Sequence, residues 1–330
     1  MILATSLPTE NDREAALALV SFHPRLRALA GLIAGALRNK SIDLIDIAIG
    51  TPHARGAIVA LQEAADATVQ ATLELAEAVI CERIFARTDI IDPLGTGALL
   101  RADEGLARMR TRVIRMPLED AAVRLAAAGN HLVNAHVRLA WEANAATRAE
   151  VLTCGFDPEK RRRFEWMTLE QFEKGLNELN AGTLGSVFPS FALNDVFRRY
   201  AGTPAVIASR DLRDAVVHRD RPTYREAAAF GRASVWAGRE FEVTVPGTSP
   251  DEDPHAPTIA ERREVLAEAA GATLAYIEET WDLTIRWLRT VRVFVIPGEG
   301  QVQVTSEFTP GARTPVFPRE QRDPGPFLRI

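Results

Sequence analysis

The alanine-rich stretch from Ala54 to Arg87 constrains the fold most strongly, because its apolar residues recur with the period of an α-helix throughout. Alanine and the straight-chain residues around it have high helix propensity, so the pattern predicts one long helix. Its acidic residues are expected to form a solvated face rather than an acidic binding site: Glu63, Glu74, Glu77 and Glu82.

Helical periodicity and local start signals predict further helices along the chain. A first helix is expected from Asp12 to Arg38, with Asn11 or Asp12 as its cap. Pro117 suits the first position of another helix that runs to about Leu152. The remaining predicted helices are Thr168 to Asn180 and Thr258 to Arg289, each opened by a capping box, and a short amphipathic helix from Pro189 to Tyr200.

The predicted fold class is therefore mainly α, a helical bundle preceded by an N-terminal helical region and followed by a small C-terminal β-hairpin. The hairpin is expected because Val291 to Ile296 and Gln301 to Phe308 alternate in polarity on either side of a Pro-Gly-Glu-Gly turn. The expected domains are residues 1–115, the N-terminal helical region, and 116–290, the helical domain with a loop-rich insertion at 222–257. Residues 291–330 hold the hairpin and a proline-rich tail.

Composition narrows the classes of function. The chain has 330 residues, 47% of them hydrophobic, which is enough for a substantial core. Its net charge of -5 argues against a protein that coats nucleic acid by bulk charge. Almost all of the 39 basic residues are arginine, so an arginine by itself carries little information about binding.

Cysteine usage and hydropathy indicate a cytoplasmic protein. Cys81 and Cys154 are far apart in sequence and belong to no metal-binding pair, so they are expected to be small buried side chains. No basic stretch followed by an apolar run stands at the N-terminus, and the longest apolar run, Ala28 to Leu37, is about half of a membrane span. We therefore expect neither secretion nor membrane insertion.

The segment from Thr203 to Pro222 combines a well-marked helix with polar residues suited to chemistry. Thr203 is expected to cap the helix with its hydroxyl, and Pro204 fits the first helical position. Pro222 predicts an end near Arg219. The expected apolar stripe is Val206, Ile207, Leu212, Val216 and Val217.

Near the end of this helix the sequence reads Arg213-Asp214-Ala215-Val216-Val217-His218. It resembles the motif of the HEPN superfamily, helical domains whose nuclease members carry an arginine, a polar residue, and a histidine separated from the arginine by four to six residues. A second pair with an allowed spacing, Arg124 and His131, is discounted because the apolar Leu125 follows the arginine. The resemblance covers Pro117 to Thr290 and implies a metal-independent ribonuclease that needs no cofactor.

The residue types suit RNA cleavage without a metal. A histidine can act as general acid or base, and an arginine can stabilise the charge that grows on the phosphate. Asp214 lies four residues before His218, so its carboxylate is expected to orient the imidazole. The expected catalytic residues are thus Arg213, Asp214 and His218, with RNA contacts from Arg210, Arg219 and Arg221.

Arg213 and His218 are about 140° apart around the helix, so they need not touch within one chain. In nuclease members of the family the motifs of two protomers face each other across a dimer cleft. The resemblance therefore implies a homodimer that binds RNA, with a role as a toxin or antiphage effector.

Competing interpretations stay open at this point. The same segment is compatible with a solvated helix end held by ion pairs such as Arg210 with Asp214, in a non-catalytic helical protein that dimerises and binds a protein partner through its N-terminal helices. His131 and His136 are expected to be satisfied, partly buried histidines rather than metal ligands. The basic run Lys160 to Arg163 is interpreted as a surface turn.

Overall fold

The computed structural model describes residues 8–38, 53–87, 99–143, 149, 151–152, 154, 167–181, 193–217, 234–236, 239–241, 259–295, 302–306 and 327–329. The predicted helical character is confirmed. The helices are α1 (Glu10–Leu19), α2 (His23–Leu37), α3 (His53–Arg87), α4 (Leu99–Ala143), α5 (Leu169–Ala181), α6 (Leu193–Ala201), α7 (Pro204–Val217) and α8 (Ile259–Thr290).

Short strands accompany these helices. Strand β1 (Ser234–Trp236) pairs antiparallel with β2 (Arg239–Phe241). Strand β3 (Val291–Val295) pairs antiparallel with both β4 (Val302–Ser306) and β5 (Phe327–Arg329), so β3 lies in the middle of its sheet.

The chain divides into two compact units, each assembled from three stretches of sequence. Unit 1 consists of residues 1–23, 70–126 and 204–270, and unit 2 of residues 24–69, 127–203 and 271–330. The domain limits expected from the sequence, at residues 115 and 290, stay a prediction.

The prediction of a single helix from Asp12 to Arg38 is wrong, because the helix is interrupted between α1 and α2. Pro24 explains the break: in a continuous helix its ring would clash with the carbonyl of Val20. The true cap of α1 is Thr9, whose backbone N–H and hydroxyl both donate to Asp12 Oδ2, at 2.7 and 2.8 Å. Asp12 thus acts as the reciprocal partner of the cap instead of the cap itself.

The predicted helix start at Pro117 is also wrong, since α4 begins at Leu99 and runs through Pro117 without a break. A proline inside a helix removes one backbone hydrogen bond and costs about 3 kcal/mol or more. Leu118, Ala121 and Leu125 follow at helical spacing and are almost completely buried. Burial of this face offsets the free-energy cost of the proline. A prediction based on the proline alone does not include this burial.

Helix α3 confirms the prediction from its composition, and Glu63 and Glu77 are exposed as expected, but Glu74 and Glu82 are partly buried in ion pairs. Glu74 pairs with Arg124 of α4, and Glu82 with Arg263 of α8, both within unit 1. Glu63 lies 2.8 Å from His131 in unit 2. Burial raises the pKa of Glu74, and the guanidinium of Arg124 opposes that rise.

In unit 2, two asparagines of α4 anchor the start of α5. Asn134 donates to the Met167 carbonyl at 2.8 Å and accepts from the Met167 N–H at 3.2 Å, while Asn130 accepts from the Leu169 N–H at 2.9 Å. The capping box predicted at Thr168 is confirmed, with Thr168 N donating to Gln171 Oε1 at 3.0 Å and Gln171 N to Thr168 Oγ1 at 3.3 Å.

The two cysteines are free thiols, and the prediction that they are buried is confirmed for Cys154 but not for Cys81. Cys154 is buried beside α5, and a Cβ placed on Gly175 would come within 2.6 Å of the Cys154 Cα. Glycine is therefore required at position 175 for this close approach. Cys81 is half-buried, and burial raises the pKa of its thiol.

Candidate functional site

Helix α7 begins at Pro204, as predicted. Thr203 does not act as the cap that was expected, because its hydroxyl donates to the Arg199 carbonyl of α6 at 2.9 Å. Gly202 N also donates to the Arg198 carbonyl, and Thr203 N to the Tyr200 carbonyl. The Thr203 side chain therefore satisfies the end of α6, where helix carbonyls lack partners within their own helix.

The buried face of α7 is narrower than the predicted stripe. Ala205, Ser209 and Leu212 recur at spacings of three and four and are buried together with Val206. Ile207 and Val217 were expected on this stripe but are 44% and 51% exposed, so that part of the prediction is wrong.

Two of the three predicted catalytic residues lie side by side on α7. A nitrogen of the Arg213 guanidinium, Nη1, forms an ion pair with Asp214 Oδ1, and the side chains are 34% and 44% exposed. In the part of the chain that the structure describes, the carboxylate of Asp214 pairs with Arg213, whereas Arg210 was the partner considered from the sequence. Adjacent residues on a helix seldom face each other, and the long arginine side chain makes this contact geometrically accessible.

This ion pair is half exposed, so its strength is limited by solvent screening and by the entropy of two long side chains. Pairs of this kind contribute about 0–1 kcal/mol. The guanidinium of Arg213 can therefore exchange Asp214 for another anion at small cost. A phosphate, which accepts two parallel hydrogen bonds from an arginine, is a suitable replacement.

The remaining predicted site residues, His218, Arg219 and Arg221, lie outside the described residues. The contact expected between Asp214 and His218 therefore stays a prediction. Arg210 is partly exposed on the same helix as Arg213. The basic run Lys160 to Arg163 also lies outside the described part of the chain.

His136 of unit 2 is fully buried and hydrogen-bonded on both ring nitrogens. Its Nδ1 lies 2.7 Å from the Tyr276 hydroxyl and its Nε2 lies 2.8 Å from Asn194 Oδ1. With an amide oxygen at Nε2, that nitrogen carries the hydrogen and Nδ1 accepts from the tyrosine. Burial lowers the pKa of His136 to about 3, and the hydrogen bond that it donates to Asn194 opposes this fall.

Aromatic rings enclose the same histidine. The Phe172 and Phe197 rings meet it edge to face, with centroids at 4.9 and 6.3 Å. A neutral imidazole enclosed in this way cannot exchange protons with a bound substrate, so His136 is a packing residue. The prediction of a satisfied histidine is confirmed.

His131 is the second histidine of α4 and lies nearer the surface, with 20% of its side chain exposed. Burial lowers its pKa, and the carboxylate of Glu63 opposes this effect. Its pairing was not predictable from sequence, because Glu63 belongs to another helix and no local spacing links the two residues. Across the described ranges, no group of three or more His, Cys, Asp or Glu side chains is placed to hold a metal ion.

Among the described helices, no single one is long and apolar enough to cross a bilayer, and the bent pair α1 and α2 meets the criterion only when taken together. Comparison with known proteins gives no match to any protein-family model, to any curated protein or to any solved structure.

Proposed function

We propose that this chain is a metal-independent endoribonuclease of HEPN type that acts as a homodimer. The observation that carries the proposal is the half-exposed Arg213 and Asp214 pair on α7, one helical turn before His218. It places a cation and a carboxylate at a partly exposed position beside the buried residues of the same helix.

The proposal assigns one role to each residue. His218 removes the proton from a ribose 2′-hydroxyl, and the 2′-oxygen forms a bond to the adjacent phosphorus as the bond to the 5′-oxygen breaks. Arg213 leaves Asp214 and binds the phosphate, whose negative charge increases in the transition state. Asp214 orients His218, and the leaving 5′-oxygen receives a proton from a histidine acting as acid.

A homodimer is part of the proposal because Arg213 and His218 lie about 140° apart around one helix. A second protomer would bring its own His218 to the phosphate held by Arg213. Arg210, Arg219 and Arg221 would bind the RNA backbone on either side. The fold that goes with this proposal is a HEPN-like bundle over residues 116–290, and the antiparallel pairing of β3 with β4 supports the C-terminal hairpin that follows it.

The test incubates the purified protein with mixed RNA in the presence of EDTA. Wild type should cut the RNA, whereas Arg213→Ala and His218→Ala should each lose at least about 100-fold in rate, as expected for loss of a transition-state contact or a general acid or base. The matched control is Arg286→Ala, which removes an exposed arginine from α8 and should cut like wild type. The proposal would be disproved if wild type left the RNA intact, or if the two site variants cut the RNA as fast as wild type.

A second candidate is a non-catalytic protein that binds a protein partner through its N-terminal helices. It is favoured by two large apolar side chains that face solvent, Leu17 of α1 at 58% exposure and Leu32 of α2 at 63%. In that case wild type leaves RNA intact, and Leu17→Ser with Leu32→Ser removes partner binding while the fold is retained.

A further inference from the structure

Unit 1 contains a groove of about 490 Å³ that the proposed nuclease site does not use. It is lined by residues of α1, α3 and α8: Ala15, Leu19, Val79, Glu82, Arg83 and Arg263. The helical spacings explain why these side chains converge, since Ala15 and Leu19 are one turn apart on α1, and Val79, Glu82 and Arg83 share one face of α3. The volume lies in the range of small-molecule sites.

The groove has an apolar part and a charged part. Ala15, Leu19 and Val79 provide aliphatic surface, and two arginines and one glutamate provide charge. The Glu82 carboxylate pairs with Arg263 Nη1, which neutralises one of the two cations. The second guanidinium, that of Arg83, is the more exposed of the two and has only a distant carboxylate beside it among the described residues.

Arg83 is held loosely. Within the described residues its ion-pair partner is Asp12, whose Oδ1 lies 4.0 Å from Arg83 Nη1, too far for a hydrogen bond. The other oxygen of that carboxylate already accepts both hydrogen bonds of the Thr9 cap. Arg83 is 47% exposed and has donors available to an incoming anion.

Arg263 supplies a second observation in the same groove. Its Nε is buried and makes no hydrogen bond to any residue that the structure describes, although its Nη1 is paired with Glu82. A buried donor without an acceptor is costly by about 1–3 kcal/mol, so such groups normally have a partner. Arg263 lines the groove, so an acceptor bound there would lie close to this donor.

We propose that the groove between α1, α3 and α8 binds a small monocarboxylate with an apolar body. The carboxylate would take two hydrogen bonds from Arg83 and lie within reach of Arg263, and the apolar body would cover Ala15, Leu19 and Val79. This site is separate from the predicted RNA site and does not depend on the proposed nuclease activity.

Isothermal titration calorimetry with 4-phenylbutanoate tests the proposal on the full chain, and 4-phenylbutanamide serves as the uncharged analogue of equal size. The acid should bind at least fivefold more tightly than the amide, because only the acid can form charge-assisted hydrogen bonds. Absence of binding by the acid, or equal binding of the acid and the amide, would overturn the proposal.

Two variants should change the affinity in opposite directions. Arg83→Gln should weaken binding of the acid by at least fivefold, whereas Glu82→Gln should strengthen it because Arg263 becomes free to bind the carboxylate. Arg13→Gln is the control, since it removes an exposed arginine of α1 outside the groove and should leave the affinity unchanged. Unchanged affinity of Arg83→Gln for the acid would refute the site. The measurement on Arg83→Gln is sufficient by itself if circular dichroism shows that Glu82→Gln does not fold.

Discussion

His136 in unit 2 and the Arg213 and Asp214 pair in unit 1 are both polar groups on helices, yet their surroundings give them opposite roles. His136 is enclosed by aromatic rings and bonded on both nitrogens, whereas Arg213 and Asp214 are about one-third to one-half exposed and bonded to each other. The difference teaches that residue type alone does not identify a site. A group that is fully satisfied by its own fold has no capacity left for a ligand.

Replacing His136 should have the largest effect on stability. His136→Ala leaves a cavity and removes partners from the buried Tyr276 hydroxyl and Asn194 amide, so we expect a loss of about 3–5 kcal/mol in the free energy of unfolding. Urea denaturation followed by circular dichroism measures it. A loss under about 1 kcal/mol would show that the buried cluster contributes little and would weaken the contrast with α7.

Protonation of His136 should make the free energy of unfolding depend on pH. Its pKa is about 3 in the folded chain and near 6.5 when unfolded, so the unfolded state binds the extra proton first. Stability is therefore retained above pH 6.5 and falls as the pH is lowered, by about 2 kcal/mol at pH 5. The measurement compares wild type with His136→Ala at pH 7 and pH 5. Equal losses in both proteins would assign the effect to other groups.

Packing beside Cys154 can be tested with a matched pair of glycine substitutions. Gly175→Ala should destabilise by about 1–3 kcal/mol, because its Cβ would lie 2.6 Å from the Cys154 Cα. Gly35→Ala meets nothing within 4 Å inside α2 and should stabilise by about 0.5–1 kcal/mol. Thermal unfolding of the two variants should therefore shift in opposite directions, and a shift in the same direction would contradict this account of α5.

The smallest effect on stability is expected at the proposed nuclease site. Arg213→Ala removes a half-exposed ion pair, so the free energy of unfolding should change by less than about 1 kcal/mol. Denaturation at low and high salt checks this, with Arg199→Ala as a second exposed pair for comparison. A loss above about 2 kcal/mol would mean that Arg213 supports the fold, and the comparison with His136 would no longer hold.

Local signals in the sequence were sufficient where a helix end depends on neighbouring residues. The Thr168 and Gln171 capping box and the start of α7 at Pro204 were predicted correctly, because their bonds or steric rules span three or four positions. The helix start predicted at Pro117 was wrong because the local proline signal does not include the burial of the residues that follow it. The break before α2 was missed although Pro24 carried the signal.

The candidate site could be predicted only as a set of residue types on one helix. Arg213 and Asp214 were identified from their order in the chain, but their mutual ion pair follows from side-chain conformations that spacing does not specify. The exposure of Ile207 and Val217 was wrongly predicted because several helix faces can look apolar in a sequence rich in aliphatic residues.

By itself the sequence determined the mainly helical fold, most of the helix limits and the order of the polar residues on α7. These properties depend on propensity and on contacts between residues a few positions apart. Only the tertiary structure decided which glutamates of α3 are paired, why His136 is inert, and how Arg83 and Arg263 come to line one groove. Such contacts join residues far apart in the chain, and their energies depend on burial, which is a property of the folded molecule.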